Sequence, residues 1–181
     1  MTAPDPSPPL QLSVQPITAA SFAPYGWLID VPQRPGRPIN EGSSQRFDDL
    51  GGLALDAEGG APCLAIFRAS ARDPRGPWRT LERHRLGTQS FVPLAGARCI
   101  VLVALGVPGD LAAGTGAEQP DPATLRAFAV GGHQGLTLHA GTWHHGLLAL
   151  DDGDFVVIER RAAAVDCDVA DLAVPVLLVH A

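Results

Sequence analysis

Short segments bounded by turn residues fill this chain from residue 63 onward, and they leave few folds open to it. Cys63–Ala69, Arg79–His84, Ser90–Leu94, Arg98–Leu105, Leu125–Val130, Gly135–His139, Gly146–Leu150 and Asp154–Arg160 are either apolar or alternate polar with apolar residues. Each is too short to bury the stripe of a stable helix. The last four recur about every eight to twelve residues, the rhythm of an antiparallel sandwich or barrel. Arg98–Leu105 is almost continuously apolar, which suits a strand covered on both faces. The 17 prolines and 20 glycines supply the turns and stop long helices from forming.

The first third is less regular. Residues 1–9 are a Pro-rich tail, expected to be flexible, and residues 10–181 are expected to form a single domain. Gln11–Pro16 reads as a strand. Thr18 suits an N-cap for a helical turn over Ala19–Ala23, which Pro24 stops. Trp27–Val31 is a second strand, and Pro32–Pro38 is a loop. Ile39–Leu50 has no clear period and reads either as a surface loop or as a loop folded over a pocket. Residues 106–120 read as a linker, and the apolar stretch Leu172–Val179 is expected to pack on the body or on a partner subunit.

Composition excludes several classes of function. Apolar residues make up 46% and charged residues 18%, a balance that favours a packed core over disorder. The net charge is −6 with no basic run, which argues against nucleic acid as a partner. A small anionic substrate is still compatible, because one or two local arginines outweigh the global sign. No apolar run approaches membrane-span length, and Met1–Pro9 lacks the features of a secretory signal. The three cysteines, Cys63, Cys99 and Cys167, show no CxxC spacing, and Cys63 and Cys99, inside apolar runs, read as reduced, buried thiols. A cytoplasmic protein that binds no membrane is the expectation.

Two stretches gather the residues that carry chemistry. Gly135–His145 holds His139, His144 and His145, and Glu82–Gln89 holds Glu82, His84 and Gln89. Glu82 and His84 are one residue apart, so on a strand they share a face. The two stretches are expected to face each other across the mouth of a barrel. His145 alternates with His144 and is expected to point elsewhere.

The spacing resembles the two cupin motifs. Glu82 and His84 stand for His-x-His, Gln89 stands for the glutamate, and Gly96 follows at the right interval. Gly141 and His144 match the second motif. This resemblance implies a mainly β fold: a cupin-like jelly-roll barrel of antiparallel strands with a few short helices. It also implies a metal set of His84, Gln89 and His144, with Glu82 as a further ligand. Imidazole suits nickel, zinc, iron or manganese, and the oxygen donors suit harder ions.

A more specific resemblance runs from about residue 11 to 168. Phe22-Ala-Pro-Tyr-Gly26, Ile39-Asn-x-Gly42 with Arg46 and Asp49-Leu50, Phe67-Arg68-Ala69, and Glu82-Arg-His84 with Leu86-Gly-Thr-Gln89 carry its first half. Phe91-x-Pro93, Leu125-Arg-Ala-Phe128, Gln134-Gly135, His139, Trp143-His144-His145, Asp154-Phe155 and Asp166-Cys167 carry the rest. Together they resemble the ureidoglycolate lyase family, formerly called ureidoglycolate hydrolase, of allantoin and purine catabolism. Arg85, Leu136-Thr137, Gly146 and Glu159 depart from its pattern. The resemblance implies a cupin-like homodimer that converts (S)-ureidoglycolate to glyoxylate and urea, with a divalent metal such as nickel as cofactor.

That reaction needs a base, an acid and a cation for the substrate carboxylate. Histidine serves either proton role near neutral pH, and arginine clamps a carboxylate in two-pronged fashion. The catalytic candidates are therefore His84, His144 and Glu82. The substrate-binding candidates are Arg68 and Arg46 for the carboxylate, and Asn40, Gln89 and His139 for the ureido group. A metal-dependent cupin oxygenase or isomerase, or a non-catalytic cupin that binds small carboxylates, is the alternative.

Overall fold

The computed structural model describes residues 8–109 and 118–180. Most of the expected Pro-rich tail and the middle of the expected 106–120 linker lie outside the described residues. The strands are, in order, β1 (Leu10–Pro16), β2 (Gly26–Ile29), β3 (Arg37–Ile39), β4 (Ser44–Arg46), β5 (Ala61–Ala69), β6 (Trp78–Arg83), β7 (Gln89–Pro93) and β8 (Cys99–Ala104). They continue with β9 (Gly106–Val107), β10 (Gln119–Pro120), β11 (Arg126–Val130), β12 (Gly135–Leu138), β13 (Trp143–His144), β14 (Leu148–Ala149), β15 (Gly153–Arg161) and β16 (Asp168–His180). A single turn of helix, α1 (Ala19–Phe22), follows β1. Thr18 caps it as its sequence position predicts: Thr18 Oγ1 accepts from Ser21 N–H, and Ser21 Oγ accepts from Thr18 N–H.

One sheet runs β11-β1-β16-β6-β13-β8, and β8 pairs back with β11, closing it into a barrel. The second sheet runs β2-β12-β7-β15-β5 and lies against the barrel wall. The fold is thus the mainly β, cupin-like architecture that the motif resemblance implies. One strand departs from the antiparallel expectation: β1 runs parallel to both β11 and β16. Most of the chain separates β1 from these neighbours, so no tight hairpin dictates its direction.

β8 explains why its sequence is apolar throughout. All six residues are buried, and alternate side chains feed two cores. Cys99, Val101 and Val103 join Phe22, Phe91, Phe128, Leu136, Leu138, Phe155 and Val157 between the two sheets. Ile100, Leu102 and Ala104 join Leu81, Leu125, Trp143, Leu148, Val176 and Leu178 inside the barrel. Each large apolar side chain buried this way contributes about 1.5–3 kcal/mol relative to exposure. The apolar C-terminal stretch is part of this frame, as β16, which pairs with β1 and β6.

The Ile39–Leu50 stretch is partly regular. β3 and β4 form a two-stranded ribbon that belongs to neither large sheet. β5 is an edge strand, and its Leu64 and Ile66 are 75% and 55% exposed despite an apolar sequence.

Candidate active site

The two chemistry-bearing stretches are hydrogen-bonded neighbours; they do not face each other across a barrel mouth. β6 and β13 pair antiparallel, with Glu82 directly opposite His144. The pleat then sorts the side chains. Leu81 and Arg83 point to the barrel interior, where the Arg83 guanidinium lies 4.6 Å from the Trp143 ring centroid. Glu82 alternates with them and meets His144 on the other face. His84, one residue beyond the end of β6, joins the same group. One ligand atom each from Glu82, His84 and His144 lies within 4.8 Å of the others. The two imidazole centroids are 5.5 Å apart.

Backbone carbonyls set the tautomers. His84 Nδ1 is 2.5 Å from the Asp166 carbonyl, and His144 Nδ1 is 3.0 Å from the Thr142 carbonyl. A carbonyl only accepts, so Nδ1 carries the proton in each ring, and in the neutral ring Nε2 holds a bare lone pair. Burial pushes the His144 pKa down to about 4, against an opposing pull from the Thr142 carbonyl. His144 is therefore neutral at pH 7. Its Nε2 lies 3.6 Å from Glu82 Oε1, and the contact joins two lone-pair atoms, not two ions. Both Nε2 atoms are buried, and neither has a hydrogen-bond partner. Converging acceptors that lack a donor are the mark of a site built for a cation or a shared proton.

Neighbouring residues hold this arrangement. Gly141, at φ +86, donates its N–H to the His84 carbonyl at 2.7 Å and ties the two stretches together at their ends. Only glycine enters that backbone region without strain. The Asp166 carboxylate accepts from Arg85 N–H at 3.0 Å and from Leu86 N–H at 2.7 Å. Cys167 Sγ donates to Glu82 Oε2 at 3.7 Å. Arg83, buried behind the site, pairs with Glu118 and Asp168. Gln89 Nε2 donates to Glu159 Oε2 at 2.9 Å, which leaves Gln89 Oε1 buried without a partner.

The other residues singled out from the sequence are engaged elsewhere in the chain. Arg68 lies on edge strand β5, 85% exposed, in a two-pronged pair with Asp154. Arg46 lies on the β3–β4 ribbon and pairs with Asp48. Asn40 is exposed at the turn of that ribbon, at φ 51, with its carbonyl accepting from Ser43 N–H. His139 is spent on structure: its Nε2 bonds the Ala23 carbonyl at 3.1 Å, and its ring meets Trp27 edge-on at 4.3 Å. His145 turns to Trp78, at 4.6 Å between ring centroids, and its Nδ1 bonds the Gly146 carbonyl.

Sequence reading missed the residues that frame the cluster. A cleft of about 230 Å³ beside His84 is lined by Thr88, Glu159, Arg161, Asp166 and Cys167. Arg161 has the same strand parity as Phe155, Val157 and Glu159, and at the end of β15 it is exposed. Among the described residues its guanidinium makes no ion pair. The period-2 pattern of β15 was the available signal, and it becomes informative only once the strand's neighbours are known.

Comparison with known proteins identifies the family. The profile of the family described as Ureidoglycolate lyase matches residues 9–179. A ureidoglycolate lyase of Burkholderia mallei (strain NCTC 10229) is 41% identical over 150 residues, covering 82% of each chain. One of Azotobacter vinelandii is 39% identical over 158 residues, covering 87% of this chain and 89% of that protein. One of Pseudomonas fluorescens (strain Pf0-1) is 35% identical over 158 residues, with the same coverage. A profile match along nearly the whole chain and relatives at 35–41% identity over most of their own length lead to one conclusion: the chain belongs to the ureidoglycolate lyase family.

Proposed function

We propose that the chain is a carbon–nitrogen lyase that cleaves (S)-ureidoglycolate to glyoxylate and urea in allantoin breakdown. The observation that carries this reading is the convergence of the His84 and His144 Nε2 lone pairs with the Glu82 carboxylate in a half-buried pocket. Ureidoglycolate carries its hydroxyl and its ureido nitrogen on one carbon, beside a carboxylate. Removing the hydroxyl proton forms the aldehyde carbonyl as the C–N bond breaks, and the departing nitrogen takes up a proton. Atoms balance without water.

Without a bound metal, the proton acceptors are the two imidazole Nε2 atoms. Glu82, 3.6 Å from His144, shares the proton and returns it to the nitrogen. Arg161 at the cleft rim meets the substrate carboxylate, and Gln89 Oε1 accepts from the ureido group. The donor set also fits a divalent metal, because both imidazoles are held by their Nδ1 protons on backbone carbonyls with Nε2 free. Glu82, His84 and His144, with Gln89 Oε1 as a further donor, would hold a nickel-like ion, which supplies Lewis acidity toward the hydroxyl and carboxylate when bound.

The test is urea and glyoxylate release from racemic ureidoglycolate by the purified chain, with and without added Ni²⁺ or Mn²⁺. Release of both products supports the reading, and no release under any of these conditions overturns it. The three cysteines are free, as in a reducing cytoplasm, and no helix among the described residues is long and apolar enough to cross a membrane. The homodimer that the family resemblance implies would find an apolar face on the second sheet. Leu64 and Ile66 stand beside Ile158 and Val156 there, and a second copy meeting this edge about a two-fold axis would cover them.

A further inference from the structure

We propose that Asp166 is a positioning residue that fixes His84 in the orientation and tautomer aiming its Nε2 at Glu82 and His144. The inference rests on the reading of that cluster as the reacting site, and it deepens it.

His84 needs such a device because of where it stands. The β6–β16 ladder ends at the Arg83–Asp168 pair, so His84 begins a turn and has no strand partner of its own. A histidine there can rotate about its side-chain bonds and can hold its proton on either nitrogen. Asp166 removes both freedoms. Its two carboxylate oxygens take the N–H groups of the next two residues, Arg85 at 3.0 Å and Leu86 at 2.7 Å. Bonds to an ionised acceptor are about twice as strong as neutral ones. Its carbonyl takes the His84 ring itself at 2.5 Å. One residue thus grips both the backbone that follows His84 and the imidazole.

The use of this carboxylate is unlike that of the chain's surface aspartates. Asp73, Asp151 and Asp154 each hold an exposed arginine. Among the described residues Asp166 has no arginine partner and gives both oxygens to backbone N–H groups within two residues of a site histidine. The grip extends along the chain. Cys167 reaches Glu82, and Asp168 pairs with Arg83 and Arg85. Segment 166–168 therefore holds β6 on both faces, with Asp166 as the member that acts on His84.

The experiment uses the full chain as isolated, with Asp166→Ala, Asp166→Asn and the surface control Asp151→Asn. Initial rates of urea release give kcat and KM, thermal melting checks the fold, and long-range ¹H–¹⁵N spectra report which imidazole nitrogen carries each proton. The wild-type His84 signal shows the Nδ1–H form alone. Asp166→Ala keeps the backbone carbonyl but loses the carboxylate that anchors it against His84, so it lowers kcat about tenfold or more, the range of lost second-layer support, with KM within about twofold, and its His84 signal becomes a mixture of tautomers. Asp166→Asn keeps one acceptor oxygen and recovers kcat to within about threefold of wild type. Asp151→Asn matches wild type. A folded Asp166→Ala with wild-type kcat overturns the proposal, as does an Nε2–H form of His84 in the wild type. If Asp166→Ala fails to fold, the wild-type spectrum and the Asp166→Asn rates decide. A wild-type chain inactive on ureidoglycolate overturns the functional reading, while the spectrum still tests the positioning role.

Discussion

Glu82 Oε1 lies 3.6 Å from His144 Nε2, and the two residues face each other directly across the β6–β13 pair. Burial holds His144 neutral, so this contact sets a carboxylate against a lone pair. Two acceptors at that distance repel unless a proton or a cation is shared between them. The site is arranged for that sharing, and His84 completes it from the end of the same strand as Glu82.

Removing either imidazole should therefore abolish turnover before it affects folding. His84→Ala and His144→Ala are expected to lower kcat by about 10²–10⁴-fold, the usual contribution of a positioned proton-transfer group. Urea-release rates on variants with wild-type circular dichroism check this. Full activity in both variants would place the reacting site elsewhere.

Metal removal gives a second outcome. Dialysis against a chelator is expected to lower activity, and Ni²⁺ or Mn²⁺ is expected to restore it. Glu82→Gln keeps the shape but loses the charged ligand, so it should weaken metal retention by about 10–100-fold or more. Elemental analysis of both proteins after gel filtration reads this out.

The arginines separate in a third experiment. Arg161→Gln is expected to raise KM about tenfold with little change in kcat, because a carboxylate clamp that grips the ground state and the transition state alike acts on binding. Arg68→Gln and Arg46→Gln break exposed pairs with Asp154 and Asp48. Such pairs contribute about 0–1 kcal/mol, so KM and melting temperature should stay close to wild type. A large KM rise in Arg68→Gln with none in Arg161→Gln would reverse the assignment.

Cys99 supplies a pH prediction. Burial on β8 pushes its thiol up to about 12, well above the unfolded value near 9. The folded state keeps the proton while the unfolded state loses it. The stability linked to Cys99 is therefore fully present below pH 9 and falls as pH rises from 9 toward 12. Urea unfolding at pH 8 and pH 10.5 should show a loss of stability in the wild type that is smaller in Cys99→Ala. At pH 8 the native thiol should resist iodoacetamide, whereas half-buried Cys63 and Cys167 should react faster.

Much of this molecule was legible in the sequence because strand patterns are local. Alternation put Glu82 and His84 on one face, the continuous apolar run announced β8 as a wall between two cores, and Thr18 announced its cap. The apolar edge strand β5 shows the limit of that reading: its composition does not reveal that its place at the sheet edge leaves Leu64 and Ile66 exposed. Arg46, Arg68 and His139 show the same limit for the site. Their residue types suit substrate binding, but Asp48, Asp154 and the Ala23 carbonyl, each brought in by folding, hold them.

The sequence by itself determined the strand rhythm and the identity of the three residues that meet, because each depends on local period and side-chain chemistry; the cupin-like class came from its motif resemblance. Tertiary structure alone decided that β6 lies beside β13, that β1 runs parallel to its neighbours, and that Asp166 clasps His84 from 82 residues away. The protonation of the site also belongs to the fold. A lone histidine carries no preference strong enough to choose its nitrogen or to lower its pKa. The Asp166 and Thr142 carbonyls choose the tautomers, and the closed core around His144 removes its charge.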